Sequence, residues 1–221
     1  MTVFDIIIKY REGFLSGLFV TFQLCLIIWS SGILIGSALG FAGSRWKTWV
    51  GIPSRIGSFI LSGVPVLVFL FWLHYPLQAT LDIVINPFYT AAATISIINI
   101  FAVSDLVRRI LNDFPSQYIA AAKVCGLSPL KTLRFIQFPI VLRQIIPGLL
   151  MLQVSMLHLT LFASLISVEE IFRVAQRINA TVYRPVEIYT ALGIFFLIVC
   201  LPLNGLALWL RQKFTRDLSE Q

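Results

Sequence analysis

From Phe14 to Ala42 the chain carries no Asp, Glu, Lys, Arg or His. A helix of about 20 apolar residues spans the hydrocarbon core of a bilayer. A run this long therefore crosses with tilt or reaches past the interface. It is also too long for the apolar segment of a cleaved signal and lacks a small-residue cleavage site, so it reads as an uncleaved span. The composition agrees: 58% of the 221 residues are hydrophobic and 12% are charged. A soluble domain of this size would need far more polar surface.

Four further apolar runs follow. They place spans at about 14–42, 56–78, 88–107, 145–168 and 186–210 of a single transmembrane domain covering 1–221. In lipid the backbone has to satisfy its own hydrogen bonds, so the spans are helical. The fold class is an all-α integral membrane protein with five transmembrane helices. Residues 1–13 mix Asp5, Lys9, Arg11 and Glu12 with apolar neighbours and read as a short interfacial helix.

The net charge of +7 does not form a polar face. The basic residues flank the apolar runs, which excludes nucleic acid as a partner and makes the bilayer one. Five spans put the termini on opposite sides. One side then holds Arg45, Lys47, Arg55, Arg108, Arg109, Lys123, Lys131, Arg134, Arg143, Arg211, Lys213 and Arg216. The other holds Lys9, Arg11, Arg173, Arg177 and Arg184. The richer side is cytoplasmic, so the N-terminus is outside and the C-terminus inside.

That orientation puts the polar segment 112–143 in the cytoplasm, between the third and fourth spans. Residues 118–139 read YIAAAKVCGLSPLKTLRFIQFP. Ala120 to Val124 favours helix, and Gly126 breaks it. Ser128 and Pro129 restart a helix as cap and first residue. The second helix is amphipathic, with Leu130, Leu133, Ile136 and Phe138 apolar, and is expected to stop near Pro139. A helix–turn–helix too polar to cross lipid and too apolar for a free loop belongs on a membrane surface or in a partner's groove.

This segment resembles the signature loop of bacterial ABC-importer permeases: Glu-Ala-Ala, three residues, Gly, nine residues, Ile-x-Leu-Pro. Ala121, Ala122, Gly126, Ile136 and Pro139 fall on the pattern, while Ala120 replaces its Glu and Phe138 its Leu. Gly17 to Leu24 resembles the Gly-x-x-x-Thr-x-Gln-Leu that opens the first core span of polar amino-acid importers. Ser62-Gly63-Val64-Pro65 stands where that family has Arg-Gly-Thr-Pro, and Arg184 to Tyr189 matches its Arg-Pro-x-Glu-x-Tyr. The resemblance implies a bacterial inner-membrane permease for amino acids or a related small polar compound, working by alternating access. It also implies ATP-binding cassette subunits, a second permease subunit (homo- or heterodimer) and an extracytoplasmic substrate-binding protein as partners. Ala121, Ala122, Lys123, Gly126, Leu127 and Ser128 would form the ATPase-docking loop.

Several polar positions of the family are altered. His158-Leu159-Thr160-Leu161 stands in place of Lys-Asp-Thr-Ser, and Phe69 replaces a Gln. Asn99, His158 and Thr160 are the remaining candidates for a substrate pathway, because buried polar groups in a span are costly. An interhelical hydrogen bond is the competing role. An alternative reading is a structural or regulatory half of a heteromeric permease without substrate contacts of its own.

Gly32, Gly36 and Gly40 share one helix face, for close packing within the chain or for a contact with another subunit. His74 reads as an interfacial ring, and Glu169, Glu170, Arg173 and Arg177 as an outward-facing group. Cys25, Cys125 and Cys200 have neither metal nor disulfide spacing. No GxxxxGK[ST], HExxH or GxSxG occurs. The chain is therefore expected to be no enzyme and to hold no metal or cofactor, with ATP hydrolysis on another subunit.

Overall fold

The computed structural model describes residues 2–219, with side chains up to residue 214. Arg216, counted above on the cytoplasmic side, lies outside the described side chains. Every element among the described residues is helical. In order they are α1 (Val3–Lys9), α2 (Arg11–Arg45), α3 (Lys47–Gly63), α4 (Val66–Leu81) and α5 (Pro87–Asn112). α6 (Ser116–Val124), α7 (Pro129–Ile166), α8 (Ile171–Val182) and α9 (Pro185–Ser219) complete the chain.

Among the described residues four helices, α2, α5, α7 and α9, are long and apolar enough to cross a membrane, and α3 with α4 makes a fifth span if the bent pair counts as one. The second span, placed at 56–78 with Pro65 inside it, is thus a pair of helices. It turns by 97° between α3 and α4. Pro65 is the cause. It disfavours the helical region for the residue before it, and Val64 sits extended at φ −100°, ψ 123°.

The helix expected to end near Pro139 runs on through it. A π-helical turn at Leu133–Gln137 precedes the proline, and the Phe138 N–H reaches the Leu133 carbonyl five residues back. This widened turn makes room for a ring that would clash in a regular helix.

α5 is the central post. Over its most apolar 18 residues 56% is buried, against 22% for α9. Leu24 and Ile28 of α2, Leu70 of α4 and Ala91, Ala92 and Ile95 of α5 share one buried cluster with Met156 and Ala163 of α7. Val103 and Val107 of α5 form another with Val141 and Ile145 of α7. Outside the core, Phe19, Phe22, Leu26, Leu34, Ile198 and Leu201 are exposed. In water such a surface would drive aggregation. In lipid it is the solvated face.

Gly32, Gly36 and Gly40 of α2 all face α5. A Cβ at Gly36 would lie 2.7 Å from the Ile100 carbonyl oxygen, and one at Gly40 2.7 Å from Val107 Cβ. Their stripe is therefore filled inside the chain.

Candidate functional site

The loop helix α6 ends in a complete glycine cap. The Leu127 N–H donates to the Ala122 carbonyl and the Gly126 N–H to that of Lys123, both at 3.0 Å. This double closure needs a left-handed residue, and Gly126 has φ +73°. Nothing stands within 4 Å of where its Cβ would be, so backbone conformation rather than space selects the glycine. Ser128 then caps α7. Its hydroxyl accepts from the Lys131 N–H at 3.4 Å, and Pro129 opens the helix.

Of the six loop residues singled out, Ala122 is buried and Leu127 half-buried. Ala121, Lys123, Gly126 and Ser128 are exposed. Apolar side chains accompany them into solvent: Val124 is 90% exposed, Leu130 79%, and Leu133, Phe135 and Phe138 more than half. The loop offers a basic and apolar surface that the chain itself leaves uncovered.

The second group lies inside the bundle. Asn99 is fully buried on α5. Its Nδ2 donates to the Ile28 carbonyl of α2 at 2.8 Å and to Gln153 Oε1 of α7 at 3.0 Å. Gln153 Nε2 returns a long bond of 3.5 Å to Asn99 Oδ1. The indole N–H of Trp29 donates to the Gln153 carbonyl at 3.1 Å. Gly32 makes this node sterically feasible, since a Cβ there would stand 2.1 Å from Asn99 Nδ2. It also begins a π-helical turn, Gly32–Gly36, a feature frequent at functional sites. Gln153 sits in a charge-free span and answers to the same rule that picks out Asn99, so it was findable from sequence.

The three pathway candidates are not brought together as one constellation. The Thr160 hydroxyl is buried and donates to the Leu157 carbonyl of its own helix at 2.7 Å. His158 is exposed on α7, with Nε2 3.3 Å from Cys200 Sγ of α9 and its ring beside Phe196. His74 is half-buried and bonded rather than a freely hydrated ring. Its Nδ1 lies 3.3 Å from Gln78 Nε2, which also donates to Thr90 Oγ1 at 3.1 Å.

Motif residues at the other end of the bundle have structural uses. The Thr21 hydroxyl accepts the Ile171 N–H at 3.2 Å, satisfying one of the free donors at the start of α8. Gly17 permits that approach, because a Cβ there would lie 2.9 Å from Ile171 Cα. Glu170 is wholly buried instead of outward-facing. It caps α8 by accepting from the Phe172 N–H at 2.9 Å and the Arg173 N–H at 2.7 Å. Burial pushes its carboxyl up to about 7 despite those bonds, which favour the charged form. Glu169 and Arg177 remain exposed and pair at 2.9 Å.

Comparison with known proteins bears on this arrangement. The chain is 28% identical to the octopine transport system permease protein OccM of Rhizobium radiobacter, over 84% of this chain and 79% of that one. It is 26% identical to the glutamine transport system permease protein GlnP of Escherichia coli K12, over 86% and 87%. Among solved structures, an amino acid ABC transporter with histidines superposes with a TM-score of 0.83 at 21% identity, over 95% of this chain and 98% of that one. The MetNI methionine ABC transporter in an inward-facing conformation gives 0.70 at 13% identity, over 93% and 98%. The sequence profile described as "Binding-protein-dependent transport system inner membrane component" matches residues 32–216. The chain therefore belongs to that family, the multi-pass inner-membrane permease subunits of ABC importers, which are not themselves enzymes and work with a binding protein and an ATPase.

Proposed function

We propose that this chain is the permease subunit of an importer for amino acids or closely related compounds, and that α6 and the start of α7 transmit ATPase motion to the spans. What carries the reading is the loop. A helix, a left-handed glycine and a capped second helix present exposed Val124 and Leu130 at one end of the bundle. A surface of that kind needs a partner's groove. The octopine and glutamine permeases resembling this chain suggest the substrate class.

In this account the chain forms one half of the pathway, with a like or unlike permease as the other. Ala121 and Ala122 permit close approach, Lys123 meets acidic groups, and Leu127 and Ser128 fix the exit into α7. ATP binding closes the ATPase pair, the loops follow, and the spans alternate between outward and inward access. The N-terminus lies outside, where the binding protein docks, and the C-terminus lies in the cytoplasm. His158, Asn99 and Thr160 belong to the pathway.

The test is Gly126→Val in the assembled complex, reading ATPase stimulation by binding protein and substrate. A β-branched residue at φ +73° is a steric outlier, so the turn must rearrange. Loss of stimulation with basal hydrolysis retained is expected. Undiminished stimulation in a correctly assembled complex refutes the docking role.

A second reading, a permease half without substrate contacts, is favoured by one observation: the side-chain bonds of Asn99 and Thr160 are spent within the chain. Uptake assays of Asn99→Ala and His158→Ala separate the two. Normal uptake and specificity in both variants support the second reading.

A further inference from the structure

We propose that the open cavity between α3 and the C-terminal end of α5 is a binding site for an anionic phospholipid. The phosphate would sit at Arg55 and Arg109 and the acyl chains along α3. Which leaflet supplies the lipid rests on the orientation proposed above; the site itself requires only that the chain lies in a bilayer. The cavity holds about 650 Å³, and its lining residues Asn112 and Asp113 lie just before the start of α6.

Its back wall is built and polar. Arg108 is 7% exposed and forms an ion pair with Asp105. Its Nη1 donates to Ser54 Oγ at 3.1 Å, and Ser54 meets Ser104 at 3.2 Å. The Ser58 hydroxyl donates to the same Asp105 carboxylate. Asp105 is thus engaged by groups of its own wall, and its charge is cancelled by Arg108. The rim then decides the sign. Arg55 and Arg109 stand there against Asp113, leaving one positive charge among the lining residues. Arg109 spends a single donor, Nε, on the Asp105 carbonyl at 3.3 Å. A phosphodiester carries one negative charge and takes several N–H bonds from guanidinium groups, so charge and donor type both match.

The apolar half of the site selects lipid over a free phosphate. Ile52, Ile56, Phe59 and Ile60 lie on one stripe of α3. All are exposed, and Phe59 is the most so at 79%. Ile56 and Phe59 also line the cavity with the arginines. Trp46 and Trp49, exposed at the turn into α3 and in its first turn, mark headgroup depth. A small anion would leave this stripe without a role. Basic pockets between spans are known receivers of lipid headgroups in general.

The experiment is native mass spectrometry of the intact transporter, titrated with phosphatidylglycerol or phosphatidylcholine. The wild type is compared with Arg55→Gln/Arg109→Gln and with a control of equal charge loss, Lys9→Gln/Arg11→Gln. Phosphatidylglycerol is expected to bind preferentially to the wild type and the control. Its affinity should fall about fivefold for each arginine removed at the cavity. Glycerol 3-phosphate should not compete; competition at equal concentration would assign the site to free phosphate and overturn the lipid. Retention of the preference in the cavity variant also overturns the proposal, as does the absence of bound lipid because another subunit covers α3. Should the variant fail to assemble, the wild type still decides. Its preference should weaken as salt screens the pair, and no preference at low salt refutes the site. ATPase stimulation is read separately, so failure here leaves the coupling account standing.

Discussion

Replacing Gly36 by alanine sets two effects of known size against each other. In a helix interior alanine is favoured over glycine by about 1 kcal/mol. Against it stands the close approach of α2 and α5. The new Cβ would meet the Ile100 carbonyl oxygen at 2.7 Å, Val103 Cβ at 2.9 Å and Ile100 Cα at 3.2 Å. None of these is the end of a flexible side chain, so the helices have to part. Overpacking of that kind costs roughly 1–3 kcal/mol, and rigid neighbours put this site in the upper part of the range. The net expectation is a loss of about 1–2 kcal/mol.

Gly193 and Gly205 on α9 supply the internal control. Nothing stands within 4 Å of a Cβ at either position, so alanine there should be neutral or stabilising. Thermal unfolding of the purified complex in detergent, followed by size-exclusion fluorescence, ranks the variants. Equal or greater stability of Gly36→Ala, in line with Gly193→Ala, would refute close packing of α2 on α5. It would return the glycine stripe to contact with another subunit.

Further outcomes follow from the same contacts. A double-mutant cycle on Asn99→Ala and Gln153→Ala should show a coupling of about 0.6 kcal/mol, rising to ~1.7 if the pair is well shielded; simple additivity would remove the node between α5 and α7. Glu170 predicts a pH effect with a definite sign. Its folded pKa of about 7 lies above the ordinary carboxyl value, so its contribution is fully present below about 4.5 and is lost as pH rises through 7. Melting temperature should fall across that window in the wild type and much less in Glu170→Gln, and equal slopes would contradict the buried carboxyl. Gly126→Ala should destabilise the loop by roughly 1 kcal/mol, because a left-handed residue with a Cβ is strained; unchanged hydrogen-exchange protection of the Leu127 amide would count against the glycine cap.

What was legible in the sequence was set by local chemistry. Charge-free stretches mark helices long and apolar enough to cross, because lipid admits few alternatives. The turn after α6 was readable because Gly126, Ser128 and Pro129 each have a backbone preference that acts within a few residues. The misses came from tertiary compensation. Pro139 has the local signature of a helix end, yet a π turn upstream absorbs it. Pro65 announces a break, but the 97° angle depends on how α3 and α4 pack on α5. Glu170 looks like a surface charge in a polar stretch, and only the fold reveals that it caps α8 from within. Arg108 reads as one more flanking cation, whereas its bonds to Ser54 and Asp105 belong to a polar wall. Asn99 was recognisable as costly to bury, but the sequence could not decide between pathway and interhelical bond.

The central claim is that the helix–glycine–helix loop is gripped by the ATPase, and the chain already carries a probe for it. Cys125 is exposed at the end of α6, while Cys25 and Cys200 are buried. A photoactivatable reagent attached through this native thiol, in membranes holding the assembled transporter, samples whatever lies against the loop. The account predicts that illumination captures the ATPase subunit, with a yield that changes between nucleotide-free and ATP-trapped states. Capture of lipid or of the permease's own spans alone, from a complex that still hydrolyses ATP, would contradict it.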